Sequence, residues 1–478
     1  MSAERLSGAL SQRVIEDILH RGKLYEVGGV VRDRLLGLPD GGKDRDYLVC
    51  GLALDDLTRI LRRHGKVDLV GRFFGVIKFT EWVTRGGERD ARTFDIAMPR
   101  VEKSVGVGHQ DFAVDFDPTI PVEVDLLRRD FTINAMAVSL SDNTLIDPTG
   151  GRRDLAAHVL RIVTPNSFAE DPLRMLRAAQ FVARFNLALD PSAYAGMGEC
   201  AHLIPTISAE RIADELTKLL IRAKLPSAGF RLLQSTGALK KFLPELEACV
   251  GVSQPGGYHR WDVFEHTLHV IDAAPPSLGL RLACLFHDIN KPQTIVITEK
   301  KATFYGHEHL GARTARVVMR RLRFPSDLIS EVSTLVQRHM FTTQVSSKGL
   351  RRLVSRVGVD LIFDLLELRR ADVFGQGMGG TVADVDQFEV DIRAELARKA
   401  PFGLRDLALD GGDIMREFTL AAGPLIGRIL SHLLERVLEN PEDNTRERLT
   451  VCASDFLANG APAPVSRDDF DEPSAEKM

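Results

Sequence analysis

Cysteine is scarce in this chain of 478 residues and never falls into pairs. Cys50, Cys200, Cys249, Cys284 and Cys452 are odd in number, scattered and without C-x-x-C spacing. That pattern argues against a structural zinc site and suits a reducing compartment, so a cytoplasmic location is expected. Long apolar runs are also missing. The longest are short and interrupted, which predicts no transmembrane helix and no membrane partner. The first residues lack the basic, apolar and small-residue sequence of a secretory signal, and Met1–Gly22 reads instead as a short amphipathic helix. There are no internal repeats and no excess of positive charge. With a net charge of −4 the whole chain does not attract polyanions, so phosphate contacts must come from local patches. Candidates are Arg152-Arg153, Arg320-Arg321 with Arg323, Arg351-Arg352 and Arg369-Arg370, each of which also reads as a solvated helix face. What is present is ordinary: 44% hydrophobic and 27% charged residues, enough chain for roughly two to four globular domains.

The informative local pattern is Val27-Gly28-Gly29-Val30-Val31-Arg32-Asp33 followed by Asp44 and Asp46. Lys23–Val31 reads as a short strand turning at Gly28-Gly29, and Val30–Leu36 as the opening of a helix. Glycines allow backbone N–H groups to approach a phosphate, and a helix start favours negative charge. The next strand, Arg45–Gly51, begins with carboxylates at i and i+2, which project to one face. Two adjacent carboxylates repel unless a divalent cation lies between them, and magnesium suits a site completed by water and phosphate oxygens. Either feature alone is commonly a plain turn or a solvated loop. Together, on strand–turn–helix–strand, they point to nucleotidyl transfer.

Further polar runs follow in order: Asp125-Leu126-Leu127-Arg128-Arg129-Asp130-Phe131-Thr132-Ile133-Asn134-Ala135-Met136-Ala137, then Ile146-Asp147-Pro148-Thr149-Gly150-Gly151, then Glu170-Asp171-Pro172-Leu173-Arg174-Met175-Leu176-Arg177. With the first pattern they resemble the motifs of the bacterial class II tRNA nucleotidyltransferase (CCA-adding enzyme) and poly(A) polymerase family. The resemblance covers residues from about 23 to 375, and less sharply to about 455. It implies attack of an RNA 3′-hydroxyl on the α-phosphorus of CTP or ATP, with Asp44 and Asp46 holding Mg2+ and Asp95 as a third catalytic carboxylate on an adjacent strand. Gly28, Gly29 and Arg32 are expected to hold the triphosphate, and Arg129 to contact the phosphates or ribose. Asp130 and Asn134, four apart, are expected on one helix face shaping that pocket. Phe131, Ile133 and Met136 read as core.

Asp171 offers acceptors and Arg174 donors at i and i+3, a pair able to hydrogen-bond the Watson–Crick edge of cytosine or adenine. The resemblance assigns them base selection, with Arg177 in support. Where relatives continue with another arginine this chain has Gln180, an uncharged donor before Phe181.

A second ordered set, His266, His287-Asp288, His307, His339 and Asp372, resembles the HD phosphohydrolase superfamily. Imidazoles with carboxylates suit a transition metal. One metal calls for His266, His287, Asp288 and Asp372, and His307 and His339 complete a possible second. His269 and His309 lie close enough in sequence to confuse the assignment. Asn290 stands where the HDxGK motif carries glycine, a substitution compatible with a left-handed turn.

The expected architecture is α+β: a mixed α/β nucleotidyltransferase head followed by an all-helical neck, an HD-like body and a tail. The boundaries are 1–152 for the catalytic head, 153–250 for the neck that selects the base and binds RNA, 251–375 for the HD domain, 376–457 for the helical tail and 458–478 for a disordered end. Gly375–Gly380 reads as a flexible break, and the segment between Pro99 and Pro121 as the family's loop before the Arg128-Arg129-Asp130 motif. The expected activity is template-independent addition or repair of the tRNA 3′-terminal CCA with CTP and ATP, releasing pyrophosphate, with possible accessory phosphohydrolase activity. A poly(A) polymerase, a partial CC- or A-adding enzyme, and an HD phosphohydrolase with an RNA-binding head are the alternatives. Oligomeric state is left open.

Overall fold

The computed structural model describes residues 9–39, 45–70, 76–85, 88–104, 112–255, 257, 259–297, 302–398 and 401–459. The chain divides into two compact units, Met1–Ala248 with Arg321–Arg323, and Cys249–Arg320 with Phe324–Met478. The class is α+β, a mixed-sheet head followed by helices.

The first unit opens with α1 (Gln12–Leu19), β1 (Lys23–Val27), α2 (Gly29–Leu35), β2 (Asp46–Cys50) and α3 (Leu54–Leu61). There follow β3 (Gly65–Val70), β4 (Val76–Arg85), β5 (Glu88–Ala97), the hairpin β6 (Arg100–Ser104) and β7 (Phe112–Phe116), α4 (Val122–Leu127), β8 (Ala137–Ser139) and β9 (Leu145–Ile146). Seven strands form one sheet in the order β3-β4-β5-β2-β1-β8-β9. Its pairings are antiparallel except that of β2 with β5.

Alternation along the strands sorts side chains by face. Leu24, Tyr47, Val49, Phe94 and Ile96 pack with Val14 and Ile18 of α1 and Leu57, Ile60 and Leu61 of α3. Tyr25, Val27, Leu48 and Cys50 pack on the other face with Val122 and Leu126 of α4 and with Ala135 and Ala137. Asp46 shares parity with Leu48, and Asp95 with Ala97, so both carboxylates belong to this second face.

The first strand is shorter than its apolar run suggests. Gly28 has φ +72, a conformation open to glycine, and its N–H donates to Met136 O at 3.3 Å. The strand therefore stops at Val27 and the helix begins at Gly29. Leu10 and α1 lie on the head, while residues 1–8 of the expected amphipathic segment lie outside the described residues.

Helices then take over: α5 (Gly151–Ala156), α6 (Ser167–Glu170), α7 (Leu173–Phe185), α8 (Pro191–Cys200), α9 (Ala209–Arg222), α10 (Ser227–Ser235), α11 (Leu239–Phe242) and α12 (Pro244–Glu247). Helix α7 packs between α9 and α10. Its buried Met175, Ala178, Ala179 and Phe181 recur at three- and four-residue spacing, the pattern that carries a helix into a core.

The second unit holds α13 (Val263–Ala273), α14 (Leu278–Phe286), α15 (Lys291–Thr294), α16 (His307–Arg321), α17 (Ser326–Arg338), α18 (Ser347–Val357) and α19 (Ile362–Gly375), then α20 (Ala383–Ala397), α21 (Gly411–Glu417), α22 (Pro424–Glu439) and α23 (Arg446–Ala458). Helix α13 packs on α19 and α14 on α17. Leu409, Ile414, Ile429, Leu433, Leu449 and Phe456 gather α21, α22 and α23 into a small core of their own. Among the described residues no helix is long and apolar enough to cross a membrane, and all five cysteines are free thiols. The segment from 460 onward, most of the expected disordered end, lies outside the described residues.

Candidate functional site

The one parallel ladder of the large sheet pairs Asp46 with Asp95 directly. Their shared parity puts both carboxylates on the face that also carries the Gly28 turn. Asp44 lies outside the described residues. The carboxyl-bearing ends of the central strands thus meet the start of α2, an arrangement able to hold a divalent cation beside a phosphate chain.

Arg129 stands over that turn. A Cβ on Gly28 would lie 2.8 Å from Arg129 Nη1, so a larger residue there would push the guanidinium aside, while the positive φ is what favours glycine. The guanidinium is poorly satisfied. Nη1 reaches Asn134 O and Nη2 reaches Asp125 Oδ2, both only at 3.5 Å, and the buried Nε finds no partner among the described residues. Burial lowers its pKa against the pull of Asp125. A partly buried cation with slack hydrogen bonds beside a glycine turn fits an anionic ligand.

Arg32, Asp130, Asn134 and Arg177 are brought together but committed to one another. Arg32 is 4% exposed. It donates Nε–H and one Nη2–H to Asp33 Oδ1 at 2.8 and 2.7 Å, and an Nη1–H to Asn134 Oδ1 at 2.6 Å. Its guanidinium lies over the rings of Phe181 and Phe185 at 5.1 and 4.4 Å. Asn134 Nδ2 donates to Asp130 Oδ1 at 3.0 Å, and Asp130 Oδ2 accepts from Arg177 Nε at 2.8 Å and Nη2 at 2.6 Å. Burial pushes the Asp130 carboxyl up, but Arg177 and the bonds from Asn134 and Phe131 outweigh it and hold it below the ordinary carboxylate value. The expected helix face for Asp130 and Asn134 is not an α-helix. Thr132–Asn134 is one 3-10 turn entered through extended Phe131, and the pair meets across that turn. Phe131, Ile133 and Met136 are fully buried core.

Asp171 and Arg174 likewise do not share a helix. Asp171 is extended at φ −139 between α6 and α7, and its Oδ1 caps α7 by accepting Leu173 N–H at 3.1 Å. Arg174 Nη1 donates to Ser167 Oγ at 2.8 Å and Nη2 to Arg128 O at 3.0 Å. Pro172, which cannot donate, marks the break between the two helices. Gln180 is 2% exposed with Nε2 unpartnered among the described residues.

Asp125 carries no role in the sequence reading, yet it is 0% exposed and holds Arg128 Nε at 2.9 Å and Nη2 at 2.6 Å as well as reaching Arg129. Its i+3 and i+4 spacing to those arginines was the available signal. Several arginines of the candidate basic patches are engaged by acids. Arg321 binds Glu245, Arg323 Glu210, Arg352 Glu435, and Arg370 Glu367, Asp386 and Glu389. Arg351 is a buried clasp to Glu395 and to the carbonyls of Leu438 and Glu439.

In the second unit His266 of α13, His287-Asp288 after α14, His307 opening α16, His339 closing α17 and Asp372 of α19 converge. All six are buried. His266 Nε2 lies 3.3 Å from His287 Nε2, 3.3 Å from Asp288 Oδ2 and 3.2 Å from Asp372 Oδ1. His307 Nε2 lies 3.3 Å from Asp288 Oδ1 and 3.2 Å from His339 Nε2. Two overlapping donor groups result, His266–His287–Asp288 and Asp288–His307–His339, with Asp288 common to both.

The histidine tautomers test whether a metal fits. The Nδ1 atoms of His287, His307 and His339 sit 2.7, 2.7 and 2.8 Å from the carbonyls of Cys284, Phe304 and Val336. Those bonds assign the proton to Nδ1 and leave bare lone pairs on Nε2. Burial pulls His307 down, but Asp288 and the Phe304 carbonyl outweigh it and raise it, and its Nε2 faces both Asp288 Oδ1 and His339 Nε2, a position a cation could take in place of a proton. Burial, with His307 and His287 nearby, pushes His339 down to about 3, so it resists taking up a proton instead. Burial lowers His266, but Asp288 and Asp372 outweigh it and raise it to about 9. Lys291 Nζ closes on Asp288 Oδ2 at 2.7 Å.

His269 instead stacks on Trp261, and His309 meets Gln337 and Glu308, so neither belongs to the cluster. Asn290 has φ −102, so the glycine position of the motif needs no left-handed backbone here. Its side chain bonds Gln293 instead.

Residues 24–161 match the Poly A polymerase head domain, 186–250 the probable RNA and SrmB-binding site of polymerase A, and 302–453 a putative tRNA nucleotidyltransferase domain 2. The multifunctional CCA protein of Nitrosococcus oceani is 39% identical over 313 residues, 63% of this chain and 71% of that protein. That of Xanthomonas campestris pv. campestris is 38% identical over 430 residues, 86% and 96% of the two chains. Among solved structures, the fold is similar to the Bacillus stearothermophilus CCA-adding enzyme in complex with CTP, with a TM-score of 0.67 and 24% identity over 93% of this chain and 96% of that one. It is also similar to the Thermotoga maritima CCA-adding enzyme, with a TM-score of 0.52 and 20% identity over 95% and 96%. Ordered motifs, head topology and near full-length kinship agree: the chain belongs to the bacterial tRNA nucleotidyltransferase and poly(A) polymerase family, among the relatives named multifunctional CCA proteins.

Proposed function

We propose that this nucleotidyltransferase adds or repairs the 3′-terminal CCA of tRNA, using CTP and ATP without a template and releasing pyrophosphate. The observation that carries the reading is the register of Asp46 with Asp95 beside the Gly28 turn and the slack Arg129 guanidinium. The family works with a divalent cation. Magnesium, held by Asp44, Asp46 and Asp95, would activate the attacking hydroxyl and offset the charge of the leaving pyrophosphate.

The chain's own residues do the rest. Arg129 meets the phosphates or ribose over the Gly28-Gly29 turn. The linked Arg32, Asn134, Asp130 and Arg177 brace the pocket from below, tying α2 to α7. Asp171 and Arg174 replace a template strand by offering an acceptor and a donor to the base edge. The domain boundaries read from the sequence, and a cytoplasmic location, belong to the same proposal.

A second activity is favoured by the convergence of the imidazole nitrogens of His307 and His339, and of His266 and His287, around shared Asp288. A transition metal held by His266, His287, Asp288 and Asp372, with His307 and His339 for a second ion, would supply an activated water for phosphoester hydrolysis.

The test is extension of tRNA transcripts ending before CCA, after C and after CC, with CTP, ATP or both, at single-nucleotide resolution. Three additions that then stop support CCA synthesis. Addition of CC or A alone makes it a partial enzyme, and a long A ladder makes it a poly(A) polymerase. No extension leaves only the HD phosphohydrolase reading.

A further inference from the structure

Two adjacent arginines of α19 are used differently. Arg370 is committed to Glu367, Asp386 and Glu389. Arg369 makes no hydrogen bond among the described residues. The acid within its reach there is Asp372, one turn on and on the same helix face, with Nη1 3.6 Å from Oδ2. An arginine that served only to neutralise Asp372 would close on it, as Arg177 closes on Asp130 at 2.6 Å. This one stands off, with its side chain 29% exposed.

Asp372 faces two ways. Its Oδ1 lies 3.2 Å from His266 Nε2 and 3.9 Å from His287 Nε2, while its Oδ2 is turned to Arg369. The width of one carboxylate therefore separates the arginine from the first donor group. On its other side the guanidinium lies 5.9 Å from the centre of the Phe341 ring, two residues beyond His339 of the second group. Phe341 is itself stacked on Phe388. Arg369 thus stands where the ends of α17 and α19 deliver their donors. Divalent ions in both groups would outweigh the charges of Asp288 and Asp372 and leave the site short of anionic oxygens. A buried atom beside the cluster is also unsatisfied. The His259 ring packs edge-on to His266 with centres 4.6 Å apart, and its Nδ1 has no partner among the described residues.

We infer that Arg369 is the phosphoryl-binding residue of the histidine cluster, donating to non-bridging oxygens of a phosphoester seated there. The inference rests on the hydrolase reading of that cluster. A guanidinium presents paired N–H donors in a plane, which match two oxygens of one phosphoryl group. Its present hold on Asp372 is too long to compete with such a ligand. A loose, partly exposed ion pair adds little to stability, so the side chain can be removed without unfolding the helix.

The experiment uses the full-length protein loaded with Mn2+ and dialysed. Three quantities are read: retained metal by elemental analysis, binding of inorganic phosphate by calorimetry, and hydrolysis of p-nitrophenyl phosphate. Arg369→Ala is expected to weaken phosphate binding and raise the KM for the ester, each roughly tenfold. The change in kcat is smaller, and metal content and melting temperature match the parent. Arg369→Gln, uncharged but polar, gives a similar loss, and Arg369→Lys recovers part of the affinity. Parental phosphate binding and KM in Arg369→Ala overturn the inference. So does loss of the metal in that variant, which makes Arg369 a support for Asp372. A loss confined to inorganic phosphate makes it a site for the free anion and overturns the role toward an ester. A wild-type protein that neither retains metal nor hydrolyses the ester removes the hydrolase reading itself. Hydrolysis by the wild type beside an unaffected Arg369→Ala removes only the role of Arg369.

Discussion

Gly28 carries two constraints at once, a positive φ and the Arg129 guanidinium where its Cβ would be. Gly28→Ala should therefore cost stability of about 1–3 kcal/mol, from strain at φ > 0. It should also raise the KM for both nucleotides by displacing Arg129. Urea unfolding and steady-state kinetics check the two effects separately. Asp46→Asn and Asp95→Asn keep shape but remove charge, and each is expected to reduce incorporation by about 100-fold or more while leaving the melting temperature near that of the parent. Both carboxylates and the glycine were legible in the sequence because strand parity and turn chemistry are local. The contact of Arg211 with Asp171 was not, because it comes from a separate helix, α9, forty residues further along the chain. Arg32 was legible as a candidate beside the glycine turn, but its commitment to Asp33, Asn134 and two phenylalanine rings was not, since those partners come from three separate segments.

Helix boundaries explain most of the remaining differences. Spacings of three and four suggested helical faces for Asp130 with Asn134 and for Asp171 with Arg174. In each case a shorter device brings the pair together, a 3-10 turn in one and a helix cap in the other. A spacing of three or four is also what turns and caps use, so periodicity over so few residues does not separate them. The Asp130 turn has a pH signature. Its folded carboxyl lies below the ordinary value, so its contribution to stability is complete above the ordinary carboxyl range and is lost as pH falls through the folded value. Asp130→Asn should flatten the acid limb of stability below about pH 4, read by urea midpoints across pH. The histidine cluster is built from element ends: His287 and His339 close their helices and His307 opens its own. Those positions leave carbonyls to orient the rings, and sequence order alone named the six residues that the fold brings together. His266→Ala should abolish tight binding of the first transition metal, and His307→Ala that of the second, measured by elemental analysis after dialysis.

At the scale of the molecule the two sets of chemistry belong to different compact units. His307→Ala, or removal of a tightly held transition metal followed by return of magnesium, should leave CCA addition within about twofold of the parent, since the two sets of residues share no partners. Arg351→Ala tests the second unit as a structure. It strands Glu395 and two carbonyls in a buried place, and a loss of about 3–5 kcal/mol is expected in urea unfolding. The order head then helices was readable from the change of hydrophobic period after Gly150-Gly151. The sheet order was not, because β6 and β7 form a separate hairpin off the main sheet and no local signal says so. The parallel ladder of β2 and β5 has a consequence for how the family can diversify. Strands running the same way cannot be joined by a tight turn, so the chain between Asp46 and Asp95 makes a long excursion through α3, β3 and β4. Insertions and deletions along that excursion alter an outer edge of the sheet while the hydrogen-bonded ladder keeps the two acids level, leaving lineages free to redraw the periphery without retuning the reaction centre.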